Sequence, residues 1–212
     1  MFPMSTAATP KGLRRRARLI EAAAELLMAG GVDAVRHRAV AERAELPLAS
    51  TTYYFGSLDD LLAAAVAHVS TTDTASIAAR CEALPRRRRG AAATAEALAD
   101  VFVGRDMTRA QLATRYELVV LAARYTGLQA AIRERQGLLS HLHGDVLVKS
   151  GRLGDSVHIA QLMAVEDGAV VGALAKGDTD ATLAARDALV EVVDLLAPLS
   201  ADLGELAEHT SL

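Results

Sequence analysis

The sequence predicts an all-α protein of about nine helices, with a small helical domain followed by a larger one. Three observations carry that prediction. The chain is rich in Ala and Leu and only 3% aromatic, which favours strong helix formers. Apolar residues recur at three- and four-residue spacing, without alternating strand patterns or internal repeats. With 51% hydrophobic residues among 212, disorder is excluded and one large core or two small ones are expected.

Helix one is predicted from Leu13 to Ala29, with Ala17, Ile20, Ala24 and Leu27 on its apolar side and Gly30 and Gly31 at its end. Residues 1–10 are small, polar and without packing residues, so we expect them to be disordered. A basic run then opens the helix. It is either a solvated helix start or an N-terminal arm that contacts phosphates or the minor groove, and the sequence leaves both open; the run consists of Lys11, Arg14, Arg15, Arg16 and Arg18.

The segment RHRAVAERAELPLASTTYYF, residues 36–55, predicts two short helices joined by a tight turn. Pro47 marks the start of the second helix, because proline at the first helical position has no N–H to lose. Helical spacing places Val40 and Ala44 on one inward face, and a second inward face consists of Leu48, Thr51 and Phe55. This arrangement is a helix-turn-helix, whose second helix can lie in the DNA major groove.

Hydroxyl, phenol and cationic side chains remain outside that small core, which suits base edges and phosphate oxygens. We expect DNA contacts from the start of the second helix as well. The predicted DNA-binding residues are His37, Arg38, Pro47, Leu48, Ala49, Ser50, Thr52, Tyr53 and Tyr54.

These motifs, together with GGVDAV at 30–35 and LDDLL at 58–62, resemble the DNA-binding domain of the TetR family of transcriptional regulators. The resemblance covers residues 13–69. It implies a three-helix DNA-binding head, a helical body that dimerises, and an effector that releases the DNA. The sequence departs from the family pattern at four positions. Glu45 and Ala49 stand where glycines are common, Arg36 where a capping Thr is common, and Leu58 where a phosphate-contacting Lys is common.

Charge is divided unevenly along the chain. Residues 1–57 hold eight Lys/Arg and five Asp/Glu, a net charge of +3, whereas residues 58–212 hold fifteen and twenty-one, a net charge of −6. The basic part contains the helix-turn-helix, as attraction to phosphates requires. We therefore predict a DNA-binding domain at 1–57 and an effector-binding and dimerisation domain at 58–212.

A capping box, Ser57 to Asp60, predicts the start of a long fourth helix that weakens between Ser70 and Ser76. Pro85 and four arginines, residues 86–89, follow as a solvated loop. Five further helices are predicted between breaks at Gly and Pro. They are Ala91–Val103, Thr108–Tyr125, Leu128–Ser150, Ser156–Ala175 and Thr182–Leu196.

The last two predicted helices carry apolar residues on more than one face, so they are either central in the fold or shared with a second subunit. Small residues recur every four positions at Ala164, Gly168 and Gly172, which lets another helix come close. Internal packing alone is the alternative to a two-fold dimer. The predicted dimer interface consists of Ala164, Gly168, Val171, Gly172, Leu189, Val193 and Leu196.

Polar residues within the apolar middle helices together predict a small-molecule effector pocket, although each one alone is more typical of a surface or a satisfied core position. The candidates are His68, Arg115, Tyr116, Glu117, Arg124, Tyr125, His141 and Glu166. An enzyme is the competing class, since His141 and His143 near Asp145 could hold a metal, and Glu166 with Asp167 could act as acid and base. Residues two apart on a helix diverge by about 200°, however, which argues against a shared metal.

We expect no catalysis, metal or cofactor, because the sequence has no nucleophile elbow, phosphate loop or zinc spacing. The lone Cys81 favours a reducing cytoplasm, and Glu21 and Glu25 interrupt the apolar stretch after the basic run, which argues against an export signal or a membrane span. The predicted function is a dimeric regulator of a pseudo-palindromic operator, and the resemblance to the TetR family implies repression. An activator, or a regulator whose body only dimerises, remains the alternative.

Overall fold

The computed structural model describes residues 9–177 and 179–200, so most of the arm predicted to be disordered lies outside the described residues. Ten α-helices and two short 3-10 turns, Val32–Ala34 and Thr126–Leu128, make up the described fold. One isolated antiparallel bridge joins Arg152 and Leu199, and the described ranges contain no β-strand. The helices are α1 Pro10–Gly30, α2 His37–Arg43, α3 Leu48–Tyr54, α4 Leu58–Ala83, α5 Ala91–Phe102, α6 Arg109–Leu121, α7 Gln129–Lys149, α8 Ser156–Lys176, α9 Ala181–Val190 and α10 Val193–Leu196.

The predicted fold class is confirmed, and the helix ends differ for local reasons. Helix α1 begins three residues early, because the Thr9 side chain accepts a hydrogen bond from the Gly12 amide and Pro10 fits the first turn. Helix α4 runs unbroken through its polar stretch, where Thr74 donates its hydroxyl to the Ser70 carbonyl. The predicted helix Thr182–Leu196 is wrong as one piece, since the chain breaks at residues 191–192 into α9 and α10.

The chain forms two compact units. Unit 1 comprises the described part of Met1–Thr74 together with Thr108–Gln136, and unit 2 comprises Ala75–Met107 with the described part of Gly137–Leu212. Their limits differ from the predicted division at residue 57, because α6 belongs to the same unit as the head. That division therefore stays a prediction about function.

In unit 1 the three head helices and the start of α4 share one core with α6 and the start of α7. Leu19, Ala23 and Leu27 form the buried side of α1, and the predicted Ala17 is exposed. Leu118 and Ile132 bring α6 and α7 into the same cluster. The head is thus stabilised by helices that lie far from it in the sequence.

Unit 2 has its own core, to which the end of α4 and helices α5, α7, α8, α9 and α10 contribute. Leu98, Leu147, Leu162 and Leu189 are almost fully buried there. Arg152 is also buried and bridges several segments, donating to the Thr94 hydroxyl and to the carbonyls of Ala197 and Arg89. These hydrogen bonds satisfy the buried cation and hold the segments that contain Arg89, Thr94 and Ala197 together within unit 2.

Candidate DNA interface and buried polar pairs

The helix-turn-helix contains a strained turn that is stabilised from α1. Glu45 has φ of +51°, the left-handed conformation that the missing glycine predicts, and no other described non-glycine residue has positive φ. Arg18 donates a hydrogen bond of 2.6 Å to the Ala44 carbonyl, and its guanidinium lies 3.6 Å from the Glu45 carboxylate. These contacts offset part of the backbone strain at Glu45.

Pro47 is the N-cap of α3, with ψ of 143°, and not its first helical residue as predicted. Helix α3 therefore begins at Leu48, one residue later than expected. Thr51 and Phe55 face the core as expected, and the Thr51 hydroxyl donates to the Leu48 carbonyl at 2.8 Å. Leu48 does not turn inward, since it is 52% exposed. The inward prediction for Leu48 is wrong because Thr51 and Phe55 already fill that side of the short helix.

An open groove of about 410 Å³ separates the start of α1 from one side of α3. Lys11 and Arg15 stand on the α1 side, which places part of the basic run beside the predicted recognition helix. Tyr53 and Tyr54 meet edge to face with ring centroids 4.9 Å apart. A basic wall facing hydroxyl groups suits a phosphodiester backbone. The groove is lined by Thr9, Lys11, Gly12, Arg15, Ala49, Ser50, Tyr53 and Tyr54.

Arg38 is the exposed cation of α2, and it is already paired. Its Nε donates to Glu42 Oε1 at 3.1 Å, with both side chains mostly exposed. An exposed pair of this kind contributes about 0.3–0.5 kcal/mol, so a phosphate or base can replace it at little cost. The neighbouring His37 is half-buried. Arg36 is the N-cap of α2 and makes no side-chain hydrogen bond to that helix, since its guanidinium donates to Asp33 and to the Val35 carbonyl.

The effector candidates of unit 1 differ in how far they are buried. His68, Glu117, Arg124 and Tyr125 are exposed, and Tyr116 is half-buried. Arg115 is buried and belongs to a different arrangement. Its Nη2 donates to Asp73 Oδ1 at 2.5 Å, while Arg135 Nη2 donates to Asp73 Oδ2 at 2.7 Å. The three charges lie almost entirely inside unit 1 and tie α4 to α6 and α7.

In unit 2, Glu166 is 3% exposed and its Oε2 lies 2.9 Å from His143 Nε2. His143 Nδ1 faces the Leu139 carbonyl at 2.8 Å, so Nδ1 must carry a hydrogen. The contact between Nε2 and Glu166 is therefore a hydrogen bond with one shared proton, which belongs either to an imidazolium facing a carboxylate or to a carboxylic acid facing a neutral imidazole. Phe102 stacks on the imidazole with centroids 3.5 Å apart. The exposed His141 lies elsewhere, 3.7 Å from Asp145.

Sequence reasoning did not place His143, Phe102, Asp73 and Arg135 among the site residues. His143 and Glu166 lie 23 positions apart on different helices, and nothing in either helix indicates the other residue. The metal alternative joined His143 to His141, whereas the fold turns the two rings toward different partners. Among the described residues, no three His, Cys, Asp or Glu side chains are close enough to hold a metal ion.

Helix α8 has a buried apolar side and an exposed side of mostly small or apolar residues. One side packs in unit 2 through Ile159, Leu162 and Val170. The other, termed here the exposed α8 stripe, recurs at alternating four- and three-residue steps and consists of Val157, Gln161, Ala164, Gly168, Val171 and Ala175. By length and composition α8 is also the one helix among the described residues that could cross a membrane, with 22% of its most apolar window buried.

Of the predicted dimer residues, Ala164, Gly168 and Val171 lie on this stripe, and Gly172 beside it is half-buried. Leu196 is half-buried, whereas Leu189 and Val193 are 1% and 0% exposed. The last two residues therefore pack within unit 2 and cannot reach a second copy in this structure.

Comparison with known proteins agrees with this geometry. Residues 19–65 match the bacterial regulatory proteins of the tetR family, and residues 89–195 match the tetracyclin repressor-like C-terminal domain. The chain belongs to the TetR family. It is a TetR-family transcriptional regulator with a helix-turn-helix DNA-binding domain and a C-terminal domain of the family's ligand-binding type. No curated protein sequence matches the chain significantly.

Solved structures extend the likeness over most of the chain. The multidrug binding protein EbrR complexed with proflavin is 27% identical, with a TM-score of 0.66, covering 84% of this chain and 99% of its own. EbrR complexed with imidazole is 29% identical, with a TM-score of 0.67 and coverages of 89% and 97%. A transcriptional regulator from Rhodococcus sp. Rha1 is 19% identical, with a TM-score of 0.67 and coverages of 88% and 99%, and shows the shared fold.

Proposed function

We propose that this regulator is a cytoplasmic repressor that binds a pseudo-palindromic operator as a homodimer and leaves it when a small ligand binds. The observation that carries the proposal is the groove between α1 and α3, where Lys11 and Arg15 face Ser50 and Tyr54. Lys and Arg beside a recognition helix fix the protein on phosphates, while the helix itself reads bases.

The proposed DNA contacts are testable with matched variants on a duplex selected from a random pool. We expect Arg38→Ala to weaken binding by about 1–3 kcal/mol if its guanidinium reaches a base edge. Tyr54→Phe should also weaken binding, because it removes only the phenol hydroxyl at the groove. Arg133→Ala and Tyr125→Phe are the controls, since both residues are exposed outside the head helices.

Glu42→Gln should bind the selected duplex at least as tightly as the wild type, because it removes a negative charge and releases Arg38. Equal affinities for the wild type, Arg38→Ala and Tyr54→Phe would contradict this interface. A reporter gene placed behind the selected duplex then separates repression from activation, since a repressor lowers its expression.

The homodimer is supported by the exposed α8 stripe. Its four- and three-residue steps are those of a seam between two paired helices, and a single helix-turn-helix reads only one half-site. Pairing of two α8 helices along this seam would bury the apolar residues that α8 exposes in a single copy. Two heads must reach major grooves about 34–36 Å apart or a multiple of it, so pairing of the bodies fixes their separation.

The proposed effector is a small, largely apolar ligand, with flat aromatic cations as first candidates. EbrR is described in complexes with proflavin, ethidium and malachite green. In this chain the rings of Phe102 and His143 stack on each other in the core of unit 2, beside the buried carboxyl group of Glu166. Aromatic faces and a buried carboxylate are the groups that bind such cations.

Proflavin fluorescence tests this proposal directly. Glu166→Gln keeps the shape of the side chain and removes its ionisable carboxyl group, so we expect dye affinity to fall about tenfold or more, as for a lost charge-assisted hydrogen bond. Glu191→Gln, an exposed acid of unit 2, is the control. Unchanged dye affinity in Glu166→Gln would exclude this site.

Operator release needs a separate comparison, because flat cations also bind duplex DNA. If the dye acts through the protein, the Glu166→Gln complex should release the duplex only at higher dye concentration than the wild-type complex. Equal release from both would indicate an effect on the DNA alone. If no ligand that stabilises the protein changes operator affinity, the body serves dimerisation only.

A further inference from the structure

The recognition helix α3 has an unusual side-chain set. Its seven residues, LASTTYY, include no charged group and no amide. Proteins commonly read guanine with Arg or Lys and adenine with Asn or Gln, and this helix offers none of these. Its reading chemistry must therefore come from hydroxyl and apolar groups.

The helix presents two different sides to solvent. Leu48, Thr52 and Ala49 lie within about 100° of arc at helical spacing, and all three are exposed. The Thr52 hydroxyl donates to the Ala49 carbonyl at 3.3 Å, which leaves its methyl group for an outside contact. This apolar side of α3 contains Leu48, whose side chain is 52% exposed.

The second side of α3 is polar and adjoins the basic groove, where Ser50 and Tyr54 stand opposite Lys11 and Arg15. Phosphate contacts fit that side, because its hydroxyls lie next to cations. The apolar side is then left for the base edges. In the major groove the apolar group on a standard base edge is the C5-methyl group of thymine.

We propose that Leu48, together with Ala49 and Thr52, reads thymine methyl groups, so that each operator half-site contains thymine where these residues contact it. The inference rests on the proposed DNA binding and adds which base is specified and by which residues. Leu48 is the main reader, since it is the largest apolar side chain exposed on this face.

Uracil substitution in the DNA tests the inference without altering the protein. In a duplex selected from a random pool, each thymine is replaced in turn by deoxyuridine, which keeps base pairing and removes only the methyl group. We expect at least one position per half-site at which affinity falls about fourfold, equal to the ~0.8 kcal/mol of one buried methyl group. Deoxyuridine outside the protected site should have no effect.

Repeating the deoxyuridine scan with protein variants identifies the side chain that contacts the thymine methyl group. Leu48→Ala should reduce the fourfold loss to less than twofold, whereas Leu48→Met keeps apolar contact and should retain it. Val120→Ala is the control, because Val120 is an apolar residue 67% exposed on α6, outside the head helices.

Three outcomes would overturn the inference in distinguishable ways. Specific binding without any uracil-sensitive position would exclude methyl reading and leave the proposed DNA binding intact. Uracil sensitivity that persists unchanged in Leu48→Ala would assign the reading to other residues. Failure to select any sequence would overturn the proposed operator binding itself, and this inference with it.

Discussion

Replacing Gly168 by leucine should have opposite effects on two quantities, the stability of a single chain and the affinity of two chains for each other. Gly168 lies exposed on α8, and a Cβ built there meets no other atom within 4 Å. A leucine therefore fits within one copy. Because glycine is about 0.8–1.0 kcal/mol less favourable than Ala in a helix and Leu is close to Ala, Gly168→Leu should slightly increase the free energy of unfolding of the unpaired chain.

In the proposed dimer the same side chain would stand between two α8 helices. Overpacking costs about 1–3 kcal/mol per site, and a two-fold interface contains the site twice. We therefore expect a dimer weaker by about 2–6 kcal/mol, which raises its dissociation constant by roughly 30-fold to 20,000-fold. Operator affinity should fall in parallel, since two linked heads no longer bind together.

Sedimentation velocity over a concentration series measures the dimer, and thermal unfolding measures the single chain. Gly137→Leu is the matched control, because Gly137 is also exposed in a helix and its Cβ would meet nothing within 4 Å. It should share the gain in helix stability and leave the dimer unchanged. A wild-type protein that sediments as a monomer at micromolar concentration, or an unchanged dimer in Gly168→Leu, would refute the reasoning.

Two further predictions concern the cores of the units. Asp73→Ala leaves Arg115 and Arg135 buried without their shared carboxylate, so we expect the free energy of unfolding to fall by about 3–5 kcal/mol and the melting temperature by roughly 10 °C. Asp187 forms an exposed pair with Arg186, so the control Asp187→Ala should cost less than about 1 kcal/mol. Equal effects of the two substitutions would contradict the burial argument. Burial raises the pKa of the Cys81 thiol against the opposing charge of Lys149. Little thiolate forms in the folded chain at pH 8, so thiol labelling should follow denaturant unfolding, and rapid labelling of native protein would contradict the packing of Cys81.

The features predicted correctly from the sequence are those that depend only on neighbouring residues. The turn at Glu45 and the capping of α4 by Ser57 follow from short stretches of sequence, and the structure contains both. The exposed position of Leu48 could not be read from spacing, because it depends on how Thr51 and Phe55 fill a seven-residue helix. The pairing of His143 with Glu166 depends on how α7 meets α8, and apolar periodicity shows only that each helix has a buried side.

The division into units also limits how an effector could act. Helices α4 and α7 each contribute residues to both units. Helix α4 begins at Leu58, a short turn after the recognition helix ends at Tyr54. A hundredfold difference in ligand affinity between the DNA-bound and free forms supplies about 2.7 kcal/mol of coupling. Breaking the Asp73 cluster would cost more, about 3–5 kcal/mol. We therefore expect an effector bound at Glu166 to shift the head and the helices packed around it together, with the Asp73 hydrogen bonds to Arg115 and Arg135 intact.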